Sequence, residues 1–246
     1  MATYHLTAPL SQQDVEQLRV GDVVYITGDV FTCRSRLHRW VLDEGHPLPK
    51  AGQERDVLIH VGPIVLPQPD GSWKLISFMP TSSIRFEKWG ARAVDEWGLR
   101  MIVGKTTMGE ETMEMMKRKK CVHVSPQCVS PNAWVDSIRI DDVELFHELG
   151  TIEATWRMTV DELGPFVVDI DCEGNNLYKN HEQEVDDARD KALAELGIGP
   201  DLNTPSCIEV RYEGISCVIP HGHRGLRLPG GLLCPGCSPQ ARPHRL

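Results

Sequence analysis

The chain lacks any uninterrupted apolar run near the ~20 residues that a membrane-spanning helix needs. It opens Met-Ala-Thr-Tyr-His, without the basic stretch and apolar run of an export signal. It also lacks an excess of positive charge, since 26 Lys and Arg stand against 35 Asp and Glu for a formal net charge of −9. These absences exclude a general attraction to nucleic acid or anionic lipid, and they predict a soluble, cytoplasmic protein that meets neither nucleic acid nor membrane. There is no internal repeat. The eight cysteines are scattered through 246 residues, a chain too large to need covalent staples, so reduced thiols are expected. Any anion this protein binds must therefore meet a local basic pocket.

Such a pocket is written in three places. Pro80-Thr81-Ser82-Ser83-Ile84-Arg85 is a hydroxyl-rich turn closed by an arginine, with Arg34 upstream and Gly104-Lys105 downstream. Arginine presents a planar fork that pairs bidentately with carboxylate, and lysine supplies a mobile point charge. Together with the hydroxyls they suit a small, oxygen-rich anion carrying two negative charges.

The surrounding pattern predicts an α/β fold. Leu18 to Ile26 and Val30 to Thr32 read as a strand or hairpin broken at Gly28. From Arg34 to Asp43, Leu37, Trp40 and Val41 fall at helical spacing and place Arg34 and His38 one turn apart. Asp56 to Val65 reads as a buried strand, with Trp73 to Phe78 returning against it across Pro69-Asp70-Gly71. Ser82 or Ser83 supplies an N-cap for a helix with Trp89, Ala93, Val94 and Trp97 on its apolar face. Leu99 to Val103 is a short strand delivering Gly104-Lys105. Glu110 to Lys120 is a helix whose Met113, Met115 and Met116 fill a core and whose basic end suits the helix dipole. Strands follow at Cys121 to Val124, Val143 to Leu149, Ala154 to Val160 and Phe166 to Ile170. Strands alternating with helices, with charged residues at strand ends, indicate layered α/β architecture. Composition shifts near Asn180, so residues 1–180 form the main domain, and residues 181–246 hold an acidic helix (Glu182 to Glu195) and an irregular tail rich in Gly, Pro and Arg.

Taken together, GDVFTCRSRLH at residues 28–38, PTSSIR at 80–85, MIVGK at 101–105 and ELGTIEATWRMTVDELGPFVVDIDCEGNNLY at 148–178 resemble the iron-sulfur fumarase and tartrate dehydratase family, the class I hydro-lyases. The likeness is to the C-terminal domain or separate β subunit and covers about Leu18 to Lys179. It implies a three-layer, swivelling β/β/α domain that closes over a 4Fe-4S cluster held by an α-type partner, in a hetero-oligomer. No trio of cysteines here suits such a cluster, so the resemblance places it in the partner. By the resemblance Thr81 handles the proton on carbon with Arg85 beside it as a catalytic residue, while Arg34, Lys105, Ser82 and His38 bind the substrate. That substrate is a small 2-hydroxy dicarboxylate, fumarate/malate by default, with tartrate or a substituted relative as the alternative. Departures from the family pattern surround the grip: Met79 replaces a glycine, Ser82 a second threonine, Phe86-Glu87 a Met-Asp pair, and Ser35 an aspartate.

Plainer readings stand beside these. Arg34, Arg85 and Lys105 taken singly are ordinary surface cations. Thr81 also suits a capping role, and a histidine on a short helix serves equally well as a structural donor. GLRMIVGKT at 98–106 has one residue too many, and an apolar strand, between the glycines of a phosphate loop. Cys234-Pro-Gly-Cys237, with His221 and His223 upstream, has ligand types suited to zinc. A domain that keeps the fold and binds an anion without catalysis is the rival reading; it needs no α-type partner, whereas the enzyme does.

Overall fold

The computed structural model describes residues 1–127, 130–198, 208–212 and 215–219. The chain divides into two compact units, Met1–Glu182 and Gln183–Leu246. Within the first, β1 (Thr3–Ala8), α1 (Gln12–Glu16), β2 (Val23–Thr32), α2 (Ser35–His38), α3 (Lys50–Gln53) and β3 (Val57–Ile59) lead to a hairpin of β4 (Ile64–Pro67) and β5 (Trp73–Ser77). Then come α4 (Glu87–Glu96), β6 (Met101–Val103), α5 (Glu110–Lys119), β7 (Val122–Pro126), β8 (Ile138–Glu144), α6 (Phe146–Leu149), β9 (Thr155–Ile170) and α7 (Leu177–Asn180).

The architecture is mixed α/β, and its main sheet closes on itself. Strand order is β1-β2-β3-β6-β7-β9-β8, and β2 also pairs with β9. β2, β3, β6 and β7 run parallel, while β9 is antiparallel to both β7 and β2 and so joins the two ends into a ring. The short central strands read as continuous apolar runs because both of their faces are buried. Alternation sorts them: Val57, Ile59, Met101, Val103, Val122 and Val124 belong to a core inside the ring, whereas Leu58 and Ile102 join Ala93, Val94, Leu99 and Met116 in a second core with the helices.

Several elements differ from expectation for local reasons. β2 is one strand, not a hairpin; it runs through Gly28 at φ +113°, with register shifts against β9 on either side of Ile26. Gly28 passes so close to the Ala8 carbonyl of β1 that a Cβ would strike it. The helix after Arg34 widens into a π turn at Arg39–Asp43, which moves the buried stripe from Val41 to Leu42. The apolar run after Asp56 splits at His60, giving β3 to the ring and β4 to the separate hairpin. Val143 to Leu149, expected as strand, is the end of β8 and then α6, because Leu145 turns at φ +59°. The two strands expected after Ala154 are the single β9, which carries Glu162 at φ +49° across the polar break.

α8 covers Glu182–Glu195, and in the second unit a hairpin unforeseen in the sequence pairs β10 (Ile208–Tyr212) with β11 (Ile215–Ile219). Cys234, Cys237, His221 and His223 lie outside the described residues. Among the described residues no helix is long and apolar enough to cross a membrane.

Because the buried cores described above lie within residues 1–182, a chain ended after Glu182 is expected to unfold cooperatively with a Tm within about 3 °C of the full chain. Calorimetry of the two chains checks this; a chain that no longer folds would move the domain boundary.

Candidate functional site

Three neighbouring parallel strands end at one rim of the ring. Backbone bonds continue the ladder just past each of them: Cys33 N donates to Ile59 O at 3.1 Å, His60 N to Val103 O at 2.9 Å, and Gly104 N to Val124 O at 3.0 Å. This carries Arg34, His60 and Lys105 to the carboxyl edge of adjacent strands, where open α/β sheets place their ligands. The Pro80–Arg85 turn arrives from β5 and threads between the ends of β3 and β6. Thr81 N donates to His60 O at 2.5 Å, Lys105 N to Thr81 O at 3.0 Å, and Ser83 N to Lys105 O at 2.8 Å. Ser82 and Lys105 face each other in a parallel bridge.

The cations are held differently. Arg34 stands at the entrance of α2 in extended backbone and lies across Gly62, where a Cβ would come within 2.9 Å of its Nη1. Its nearest carboxylate oxygen, Glu153 Oε1, is 3.7 Å from Nε, which is buried and makes no hydrogen bond. Glu153 Oε2 instead accepts from Arg36 N at 2.8 Å and so caps α2. Arg85 is exposed and Lys105 half-buried, and with the described residues neither side chain makes a hydrogen bond or ion pair. The hydroxyls of Thr81 and Ser82 are likewise free among the described residues, and Ser82, at the cap position of the short turn Ser83–Phe86, makes no side-chain capping bond. Two cations and two hydroxyls at this rim are thus without a side-chain partner among the described residues.

His38 is placed elsewhere than the sequence-derived substrate role requires. It is 1 % exposed, its Nδ1 lies 3.1 Å from Arg34 O and 3.2 Å from Cys33 Sγ, and its ring stacks with Phe86, Trp89 and Trp97. Burial pushes its pKa down to about 4 and pushes the Cys33 thiol well above its usual range. It supports the Arg34 backbone from behind. His60, whose ring lies 5.5 Å from that of His38 and 4.5 Å from that of Phe86, is buried too, and desolvation with the nearby His38 and His123 holds its pKa well below that of an ordinary histidine.

Residues that sequence reasoning passed over form a polar chain beneath the turn. Ser83 Oγ is 2.9 Å from His60 Nδ1 and 2.8 Å from His123 Nε2, and His123 Nδ1 is 2.6 Å from Asp169 Oδ1. The signal was available: His60 in DVLIHV, His123 in CVHV and Asp169 in FVVDI each interrupt an apolar strand, and a buried polar group needs a partner. Serine, histidine and aspartate in this order resemble a nucleophilic triad, but all three are 0 % exposed and no substrate reaches the hydroxyl.

The described thiols do not suit a metal cluster. Cys33, Cys121 and Cys172 are buried, burial raises the pKa of each above the usual thiol range, and Cys33 lies against His38 apart from the other two. Among the described residues no group of three His, Cys, Asp or Glu is placed to hold a metal ion.

A histidine held neutral in the fold and ordinary (near 6.5) when unfolded gives stability that is whole above pH 6.5 and lost as pH falls toward 4, because the unfolded chain binds the proton first. For His38 the loss is about 3 kcal/mol. Urea unfolding at pH 7 and pH 4 is expected to show a correspondingly smaller pH loss in His38→Gln than in wild type; equal losses would remove burial of a neutral His38 from the account.

Residues 2–181 match the family described as fumarase C-terminus. L(+)-tartrate dehydratase subunit beta of Escherichia coli (strain K12) is 34 % identical over 195 residues, 78 % of this chain and 94 % of that protein. A Geobacillus stearothermophilus protein provisionally named fumarate hydratase class I is 31 % identical over 179 residues, covering 72 % of this chain but 34 % of that longer protein. A Methanocaldococcus jannaschii protein provisionally named L(+)-tartrate dehydratase subunit beta is 30 % identical over 180 residues, 72 % of this chain and 91 % of that protein. With those motifs, that rim of free cations and these relatives, the chain belongs to the family of class I fumarase C-terminal domains and L(+)-tartrate dehydratase β subunits.

Proposed function

We propose that this chain is the β subunit of a cytoplasmic hydro-lyase that adds water to, or removes it from, a small 2-hydroxy dicarboxylate. The observation that carries the reading is the pair of uncompensated cations, Arg85 and Lys105, beside the free Thr81 hydroxyl at the carboxyl edge of parallel strands. An acidic protein that leaves cations unpaired on a strand edge has a place for an anion.

In this reading Arg34 and Arg85 grip the two substrate carboxylates with their planar forks. Lys105 stabilises the charge that grows on a carboxylate as the proton leaves carbon. Thr81 handles that proton. A threonine hydroxyl is a weak acid, so the neighbouring cations must favour its ionised form or it must pass a proton on. Ser82 contributes a second hydroxyl to the substrate, and His38 acts through the Arg34 backbone instead of touching it. The 4Fe-4S cluster is assigned to an α-type partner, in a hetero-oligomer over which this domain swings as a β/β/α unit. In support, the longer Geobacillus protein carries the matched region as 34 % of its length, which leaves room in one chain for both halves. Residues 181–246 are a second domain in this reading. Fumarate/malate and tartrate are the substrates to separate; relatives named for L(+)-tartrate, matched over nearly their whole length, put tartrate on equal footing.

Co-expression with the neighbouring genes under anaerobic conditions, then assays of fumarate hydration and L(+)-tartrate dehydration, tests the reading. Arg85→Ala is expected to lower kcat/KM at least about 100-fold, because it removes a cation from the developing charge. Its Tm should stay within about 2 °C, since an exposed, unpaired side chain contributes little to the fold. Wild-type turnover in this variant would refute the role of Arg85, and a chain that finds no partner would favour the non-catalytic anion-binding module.

A further inference from the structure

The tautomers of two histidines set the bond directions along the buried chain under the Pro80–Arg85 turn. With His123 and His60 each carrying a single proton on Nδ1, His123 donates to the Asp169 carboxylate, its Nε2 accepts the Ser83 proton, and Ser83 Oγ accepts from His60, so that every bond points from His60 through Ser83 and His123 to Asp169. His60 Nε2 and Asp169 Oδ2 end up buried without partners. Ser125 Oγ lies 2.9 Å from Asp169 Oδ1 and 2.8 Å from Thr106 O, adding a link to the residue after Lys105.

A buried polar network with two unsatisfied atoms is a poor source of stability, because apolar side chains of the same volume would serve as well or better. What such a network does supply is a unique geometry. Here the geometry has an address. Ser83 is tied by its backbone N–H to Lys105 O, Lys105 N–H is tied to Thr81 O, and a Cβ at Gly104 would collide with Ser83 Oγ. The glycine lets the end of β6 pass directly over the serine. Ser83 is thus a pin that the two histidines clamp from below and that holds Thr81 and Lys105 from above.

We propose that Ser83, His123 and Asp169 are positioning residues, which fix the Thr81 hydroxyl and the Lys105 ammonium relative to each other. The proposal rests on the hydro-lyase reading for its kinetic consequence. Arg34, which grips substrate in that reading, is anchored independently of the pin, and Arg85, although it lies in the turn Ser83–Phe86 that Ser83 opens, is also held by the run of that turn into α4, so loosening the pin should harm the proton-transfer step more than binding.

The test compares wild type, Ser83→Ala and the isosteric Asp169→Asn as full chains assembled with the cluster-bearing partner. Expected in assembled variants is a kcat lowered at least about tenfold with KM within about threefold of wild type. Wild-type kcat, or a raised KM with kcat kept, overturns the assignment. So does failure of both variants to fold, since the network would then be a requirement of the fold itself. Hydrogen exchange on the full chain alone gives a second readout that needs no turnover. The Ser83 and Lys105 amides are expected to exchange at least about tenfold faster in Ser83→Ala while those of β8 are unchanged. If the wild-type complex turns over neither fumarate nor L(+)-tartrate, the hydro-lyase reading fails by itself, and unchanged exchange at those two amides would overturn the pin separately.

Discussion

β9 hydrogen-bonds to β2, β7 and β8 along sixteen residues, and the closure it makes is the constraint on which the site depends. Without it, β2, β3, β6 and β7 would be an open parallel sheet with unpaired edges. With it, their inner side chains are sealed in a dry core, and each strand must exit at the same rim. Closing so small a ring takes strong local twist, which is where Gly28 and the register shifts around Ile26 sit. The convergence of Arg34, Thr81 and Lys105 is therefore a property of the strand ring first and of the loops second.

Charge on this rim is set against the rest of the molecule. The chain as a whole is acidic, and many of its surface cations meet carboxylates: Lys88 with Asp43, Arg92 with Glu96, Lys119 with Asp95, Lys179 with Glu110. Arg85 and Lys105 do not, among the described residues. Screening limits the reach of the molecule's net negative charge to about 8–10 Å at physiological salt, so a small anion near the rim senses these cations and not the distant excess of acid. Burial holds the pKa of His38 and His60 below that of an ordinary histidine, so these two add nothing to that charge.

Much of this was legible in the sequence where the signal is local. The PTSSIR turn, the apolar strand before Gly104-Lys105 and the helix Glu110–Lys119 follow from turn chemistry and periodicity, and the structure places them accordingly. Closure was not legible, because period-two alternation says which face a residue takes and nothing about which strand lies beside it. Asp161 to Pro165 read as a break between strands, yet β9 continues through them because Glu162 N donates to Thr27 Oγ1 at 3.0 Å across the sheet. The buried histidines of the strands were hard to read for a related reason. His38 drew attention by its spacing from Arg34, whereas His60 and His123, hidden in apolar strands, are the ones that touch the turn.

The departures from the family pattern acquire physical meaning when their contacts are followed. Phe86 is buried against both His38 and His60, with ring centroids 5.3 and 4.5 Å away, while those two rings lie 5.5 Å from each other, so it completes a ring cluster that backs the supports of Arg34 and Thr81. Glu87 accepts from Gly109 N at 2.6 Å, Thr112 N at 3.1 Å and Thr112 Oγ1 at 2.8 Å, which caps α5 and ties it to the start of α4. Ser35 leaves the capping of α2 to Glu153, to which its own hydroxyl also donates at 3.4 Å. Phe86, Glu87 and Ser35 thus all take part in bracing the elements that carry the cationic edge. If the proposed hydro-lyase role holds, selectivity among dicarboxylates is expected to follow from how tightly this bracing sets the spacing between Arg34 and Arg85, since a fork one ångström out of place loses its bidentate hold on carboxylate.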